Sequence, residues 1–491
     1  MAVLKRTDAV AANPHAGPAT GAPDSEAGRP RNPILDDAIT PTLLRLALPN
    51  ILAMGASIAV LIAETTYIGL LGIAPLAAIA LMFPLIILMM TMSGGAMGGG
   101  VASAIARAIG ANDLTRASTL AIHALTIGVC TGLAFSVLLL TFGERILTWM
   151  GGRDAVLAKA LAFSQIYFSG VVLIWLMNTM MAILRGTGNM VLPSTMAFIS
   201  AISQIVIGGG LSLGLVSLPQ LGLRGIAIGQ LGGVAIGVAV MGWYILSGRS
   251  RISLWVSGFR FYREMFLDIL KVGALACLYP IQSVLTTAML TSMLARFGPE
   301  VLAAYGIGAR LEFLITSIAF SCGVASVPMV GMAVGSGQIF RARRVAWTGA
   351  AISALGVGAL VAPLALFPDL WTGLFTDNLQ VRKVTGEYLW IAGPTFSLLA
   401  VGISLYFSSQ GAAKVLGSVL AQTVRLSVVI FGGWWLISMG VGYIWFFVLA
   451  ATAMAAFGLF TAATIHWTPW SAALKPARQS MVPKSGNRFS E

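Results

Sequence analysis

The sequence predicts an all-α polytopic membrane protein, with twelve transmembrane helices in two six-helix lobes related as parallel repeats. Three observations predict it. Of the 491 residues, 57% are hydrophobic and only 10% charged, with mean hydropathy +0.89, whereas soluble domains carry about 25% charged residues. Twelve apolar stretches are long enough to cross a bilayer, which takes about 20 residues. And the second half repeats the first at an offset near 225 residues.

The spans fall near 43–71, 74–100, 117–142, 158–181, 190–214, 222–247, 268–295, 302–334, 346–368, 384–409, 415–438 and 440–466. Turn signals separate them: Gly72 to Pro75, Gly110 to Asp113, Gly151 to Asp154, Gly186 to Asn189, and Phe297-Gly298-Pro299. The repeat pairs Leu76-Ala77-Ala78 with Leu302-Ala303-Ala304, and Gly110-Ala111-Asn112-Asp113 with Gly335-Ser336-Gly337-Gln338. It also pairs Arg185-Gly186 with Gln410-Gly411, and Phe163 with Tyr388. Each half holds six spans and enters the membrane in the same direction, so a pseudo-twofold axis along the membrane normal is expected. The organisation that follows is a disordered tail (1–40), a first lobe (41–247), a basic linker (248–267), a second lobe (268–467) and a C-terminal tail (468–491).

Charge gives the expected orientation. Arg107, Arg116, Arg185, Arg249, Arg251, Arg341, Arg343, Arg344 and Lys414 share one side with both tails, and few cations lie opposite. Lys and Arg collect in cytoplasmic loops, so both termini are expected in the cytoplasm of a multi-pass protein. The net charge of +13 is a matter of topology and implies no nucleic-acid partner. Cys130, Cys277 and Cys322, like His15, His123 and His466, are scattered. No disulfide or metal pattern follows, and no cofactor is implied.

Chemistry concentrates on the rare acids within spans, Glu64 and Glu312. An intramembrane carboxylate costs about 2.5–3.5 kcal/mol at mid-bilayer on insertion scales and is a functional hypothesis by default. Glu64 lies roughly 10 Å below the outer end of its helix. It has no basic partner in its half, and its repeat equivalent is Met289. A partly dry carboxylate of this kind can exchange protons near neutral pH. The alternative is a side chain hydrated near the headgroups. Tyr67, Asn178, Thr179, Ser203, Gln204 and, in the second half, Gln282 are the polar candidates for the cavity. Arg310, Glu312 and Arg425 form a candidate charge network, with Glu312 paired to Arg425 as a structural bridge. His123 reads as a residue satisfied within the bundle, with a relay as the alternative. The methionines of spans 1, 2 and 4, among them Met54, Met82, Met89, Met90, Met97, Met177 and Met180, suit either an adaptable pocket or ordinary packing.

Several stretches, in order, resemble the multidrug and toxic compound extrusion (MATE) transporters, bacterial in type. They include Leu46-Ala47-Leu48-Pro49, then Glu64-Thr65-Thr66-Tyr67-Ile68-Gly69, Leu184-Arg185-Gly186-Thr187-Gly188, Ala304-Tyr305-Gly306-Ile307-Gly308-Ala309-Arg310-Leu311-Glu312 and Ser409-Gln410-Gly411-Ala412. The resemblance implies two lobes forming a V around a central cavity and efflux of organic compounds against cation influx. The protein would be a monomer in the bacterial inner membrane. The proton-coupled branch carries an Asp and a bend-forming Pro in its first helix, at the positions of Glu64 and Pro49. Where that branch has an Asn and an Asp in its fifth helix, Gln204 and Gly208 stand here, and the acid of the seventh helix in other branches is missing. Protons are therefore the expected coupling ion, with sodium as the alternative, because a bare sodium ion needs several oxygen ligands. The expected activity is antiport of amphipathic, cationic small molecules. A lipid-linked substrate flippase and a major-facilitator transporter are the other carriers considered. An enzyme is not expected, since no paired acids, metal ligands or activated nucleophile are present.

Overall fold

The computed structural model of the chain describes residues 32–215, 219–254 and 260–470. The expected tail over 1–31 and the C-terminal tail from 471 lie outside the described residues, as do 255–259 of the expected linker. Among the described residues, eleven helices are long and apolar enough to cross a membrane, and one bent pair supplies a twelfth. In order they are α1 (Ile39–Leu70), α2 (Ile73–Gly110), α3 (Leu114–Trp149), α4 (Asp154–Ser169 and Val171–Gly186), α5 (Val191–Leu213), α6 (Leu223–Leu246), α7 (Arg263–Phe297), α8 (Pro299–Gly335), α9 (Ile339–Leu366), α10 (Leu379–Gly411), α11 (Leu416–Met439) and α12 (Ile444–Trp467). The twelve expected spans are these helices. Their ends run several residues further because polar residues continue a helix past the apolar window.

The breaks have local causes. Gly170 separates the two parts of α4, which bend by 49°. A π-helical segment, Thr91–Met97, interrupts α2 at its Ser93-Gly94-Gly95 sequence, a common form of helix irregularity at functional positions. Pro49 lies inside α1 without ending it. Residues 32–38, expected with the disordered tail, are instead ordered. Pro33–Asp36 forms one helical turn capped by Asn32, whose Oδ1 accepts the Ile34 amide at 3.2 Å. Arg341 of α9 donates to the Ile34 and Asp37 carbonyls at 3.0 and 2.6 Å.

The repeat is visible in the backbone. Residues with left-handed φ recur as Gly72 and Gly298 (111° and 102°), Asn112 and Gly337 (60° and 81°), Gly188 and Ala413 (88° and 56°), and Gly214 and Gly440 (72° and 64°). Each pair is 225 or 226 positions apart, so equivalent helices end in equivalent turns. Buried environments recur too: Phe163 and Tyr388 are both fully enclosed, and Arg185 and Gln410 are both buried.

Within the first lobe α5 packs along α6 and α1 along α5; within the second, α10 packs against α8, α9 and α12. Glycine permits the closest crossing. A Cβ at Gly229 would stand 2.4 Å from the Gly208 backbone, the small-residue contact expected where helices approach without a hydrophobic driving force.

The lobes meet chiefly at the end carrying the α2–α3 and α8–α9 turns. There a Cβ on Gly110 would lie 2.1 Å from the Met332 carbonyl oxygen, and one on Gly335 would lie 2.1 Å from that of Arg107. Ser103 donates to the Gly411 carbonyl at 3.1 Å. Arg107 and Arg116 both reach Asp268, at 2.6 and 3.0 Å. These contacts close one mouth of the V.

Candidate functional site

The first-lobe site is assembled by the crossing of α1, α5 and α6. The Tyr67 ring of α1 lies over Gly209 of α5, where a Cβ would sit 2.7 Å from the ring. That contact sets the register, and one turn back along α1 it brings Glu64 against Gln204. The Gly208–Gly229 crossing then presents Gln230 of α6 to the same carboxylate. Gln204 Nε2 donates to Glu64 Oε1 at 2.6 Å, and Gln230 Nε2 reaches Oε1 at 3.0 Å and Oε2 at 3.1 Å. Glu64 is half-buried. Among the described residues it forms no salt bridge, and its hydrogen-bond partners are these two neutral amides. The carbonyl oxygen of Gln230 is buried with no hydrogen-bond partner.

The other candidates separate from this set. Asn178 donates to Ser93 of the π segment at 2.8 Å, bracing the irregular part of α2. Thr179 bonds the Trp175 carbonyl of its own helix and packs where Gly128 leaves room on α3. Ser203, one residue before Gln204, is half-buried and makes no bond to Glu64. Gln282 donates to Thr423 at 2.8 Å, joining α7 to α11. His123 is held from both sides: its Nδ1 lies 2.8 Å from the Thr119 carbonyl, and its Nε2 accepts the Tyr262 amide at 2.9 Å. It therefore pins the segment before α7. The methionines divide: Met82, Met89, Met97, Met177 and Met180 are buried in packing, whereas Met90 is exposed.

In the second lobe Arg425 donates to Glu312 at 3.0 Å; Arg425 is buried and Glu312 half-buried. Tyr305 and Tyr388 of the same lobe stack edge to face with ring centroids 5.6 Å apart. Arg310 does not join the expected network. It is exposed and lies 5.1 Å above the Phe375 ring, because two positions along a helix turn a side chain to another face. Gln230 is the residue at this site that the sequence did not single out. The available signal was an amide inside the glycine-rich sixth span, whose burial demands a partner.

These features define a two-lobe, helical membrane carrier with one amide-held carboxylate in its first lobe. The MatE family profile matches residues 49–208 and 277–435, one segment in each lobe, and the chain belongs to that family. Its members are transporters, not enzymes. Among relatives, the FAD transporter of Shewanella oneidensis is 23% identical over 396 residues, spanning 81% of this chain and 87% of that one. The multidrug export protein MepA of Staphylococcus aureus is 24% identical, spanning 79% and 85%. A multidrug resistance MATE family transporter of the MOP superfamily, solved in an outward-facing conformation, superposes with a TM-score of 0.81. It is 20% identical and covers 88% of this chain and 97% of its own.

Proposed function

We propose that this transporter exports amphipathic, cationic small organic molecules in exchange for protons, by alternating access, and that Glu64 is the coupling group. The observation that carries the reading is the Glu64 environment: a half-buried carboxylate with two amide donors and no salt-bridge partner. A carboxylate bound to arginine would stay ionised; one held by neutral amides can change state. The amides serve both states. Ionised, Glu64 accepts the N–H groups of Gln204 and Gln230. Protonated, its O–H needs an acceptor, and the unpartnered Gln230 oxygen supplies one after the amide turns over. Loss of charge loosens α1 from α5 and α6, and α1 then bends near Pro49, where the ring removes a backbone hydrogen bond. The reshaped first lobe releases its substrate, and rocking of the lobes changes access. The chain sits in the bacterial inner membrane as a monomer with both termini cytoplasmic. The closed lobe seam then faces the cytoplasm and the cavity faces outward.

A second reading, sodium coupling, draws on the same Gln230 oxygen, since a carboxylate and turned amide oxygens offer a small set of hard ligands. Efflux from reconstituted vesicles under an imposed pH gradient, then a sodium gradient, separates the two. The proton reading expects a pH gradient alone to drive the wild type and Glu64→Gln to be inactive. Drive by sodium alone would transfer the site to the metal reading. Normal proton-driven transport by Glu64→Gln would overturn the coupling role.

A further inference from the structure

A cavity of about 420 Å³ lies at the end of the first lobe where the α4–α5 turn and the end of α6 meet the chain preceding α1. Its size is within the range of small-ligand sites, about 300–1,000 Å³. Three arginines line it: Arg45 from α1, and Arg249 and Arg251 from the segment after α6. No acid lines it. Asp36 and Asp37 lie with Arg45 in a neighbouring recess, and Asp36 is engaged by the Asn32 amide at 2.7 Å. Among the described residues none of the three arginines forms a salt bridge within 4.0 Å. Three exposed arginines around one cavity, with no acid in its described lining, leave an excess of positive charge there that an anion would offset.

The surroundings indicate which anion. Arg249 lies 4.7 Å over the ring of Trp243, itself exposed near the end of α6, and Tyr244 lines the cavity beside it. Tryptophan and tyrosine mark the level of the lipid headgroups. Guanidinium groups match phosphate oxygens in a bidentate fork, and basic pockets between helices on the cytoplasmic face hold anionic headgroups. One wall is ordered by the chain itself. The Ile34 side chain fills the space above Gly188, where a Cβ would lie 2.3 Å from Ile34 Cδ1, and Arg341 of the second lobe fixes the Ile34 carbonyl. An occupant would therefore touch the first lobe and the segment that ties it to the second.

We infer that this cavity binds a phosphate-bearing anion through Arg45, Arg249 and Arg251, either the headgroup of an anionic phospholipid or a soluble phosphate ester. The inference stands apart from the proposed transport activity, because its test reads binding alone. The full-length protein in neutral detergent is titrated with phosphatidylglycerol, with phosphatidylcholine and with a soluble nucleoside diphosphate. Binding is read by native mass spectrometry and thermal shift. Phosphatidylglycerol is expected to bind about tenfold more tightly than phosphatidylcholine, and the triple variant Arg45→Gln/Arg249→Gln/Arg251→Gln to lose that preference. Arg224→Gln/Arg296→Gln, at the opposite end, retains it. The triple lysine variant, which keeps the charge, recovers part of the preference and guards against a folding defect in the glutamine variant. If the nucleotide binds with the same arginine dependence and the lipids do not, the anion is soluble and the phosphate site stands. If no phosphate ligand binds, or the triple variant binds as wild type does, the inference is overturned.

Discussion

Each lobe holds a half-buried glutamate within a span, and the two keep different company. Glu312 faces Arg425 at 3.0 Å, with the charge compensated on the spot. Glu64 faces two glutamines at 2.6 to 3.1 Å, with its charge solvated but not compensated. Removing the Glu312 charge would leave the buried Arg425 without its counter-charge. An uncompensated carboxylate pays no such penalty. Under the proposed function the difference would give architecture to the second lobe and exchange to the first, although both derive from one repeated six-helix plan.

The largest effect should come from Glu64→Gln. It keeps the side-chain shape but removes the exchangeable proton and one acceptor, so pH-driven efflux should fall to the level of empty vesicles with expression unchanged. Glu312→Gln tests the other side of the comparison. If it removed proton drive as completely, the division of labour between the lobes would collapse.

Next in size is the second-lobe pair itself. Arg425→Met strands a half-buried carboxylate and should cost about 3–5 kcal/mol of stability, read as a large drop in thermal unfolding temperature. The double variant Glu312→Gln/Arg425→Met should recover most of that loss while remaining proton-driven. A smaller loss is expected at the amides. Gln230→Leu removes a hydrogen bond to a charged group, worth about 1.5–3 kcal/mol, and should slow efflux by about tenfold; Gln204→Leu should act similarly. If Gln230→Leu transported normally, the carboxylate would be held by Gln204 alone. The mildest change is Glu64→Asp, which keeps the acid and withdraws it by one methylene. Partial activity with weakened pH response is expected in the same vesicle assay.

Most of the fold was legible, and the site was half legible. Glu64 stood out because an acid in an apolar span is costly, and Gln204 because it lies in a neighbouring span of the same lobe. The Glu312–Arg425 pair followed from charge balance. Arg310 sits two positions from Glu312, a spacing that already turns it to another face, but its partner Phe375 comes from a distant stretch of the chain. Asn178 and Thr179 looked equivalent to Gln204 as intramembrane polar residues, yet their helix faces serve Ser93 and the α3 contact. Gln230 was missed because neutral amides carry no charge signal and the sixth span reads as uniformly apolar and glycine-rich.

The sequence by itself determined the quantities that depend on a residue and its near neighbours. Hydropathy set the twelve spans, glycine and asparagine set the turns at Gly72, Asn112, Gly298 and Gly337, and the offset near 225 residues set two parallel halves. Only the tertiary structure decided which faces meet. The Gly208–Gly229 crossing and the Tyr67–Gly209 contact bring two glutamines to one carboxylate, and the Gly110 and Gly335 contacts choose which mouth of the V is shut. Such pairings arise from close approach between segments far apart in the chain, and local periodicity carries no record of them.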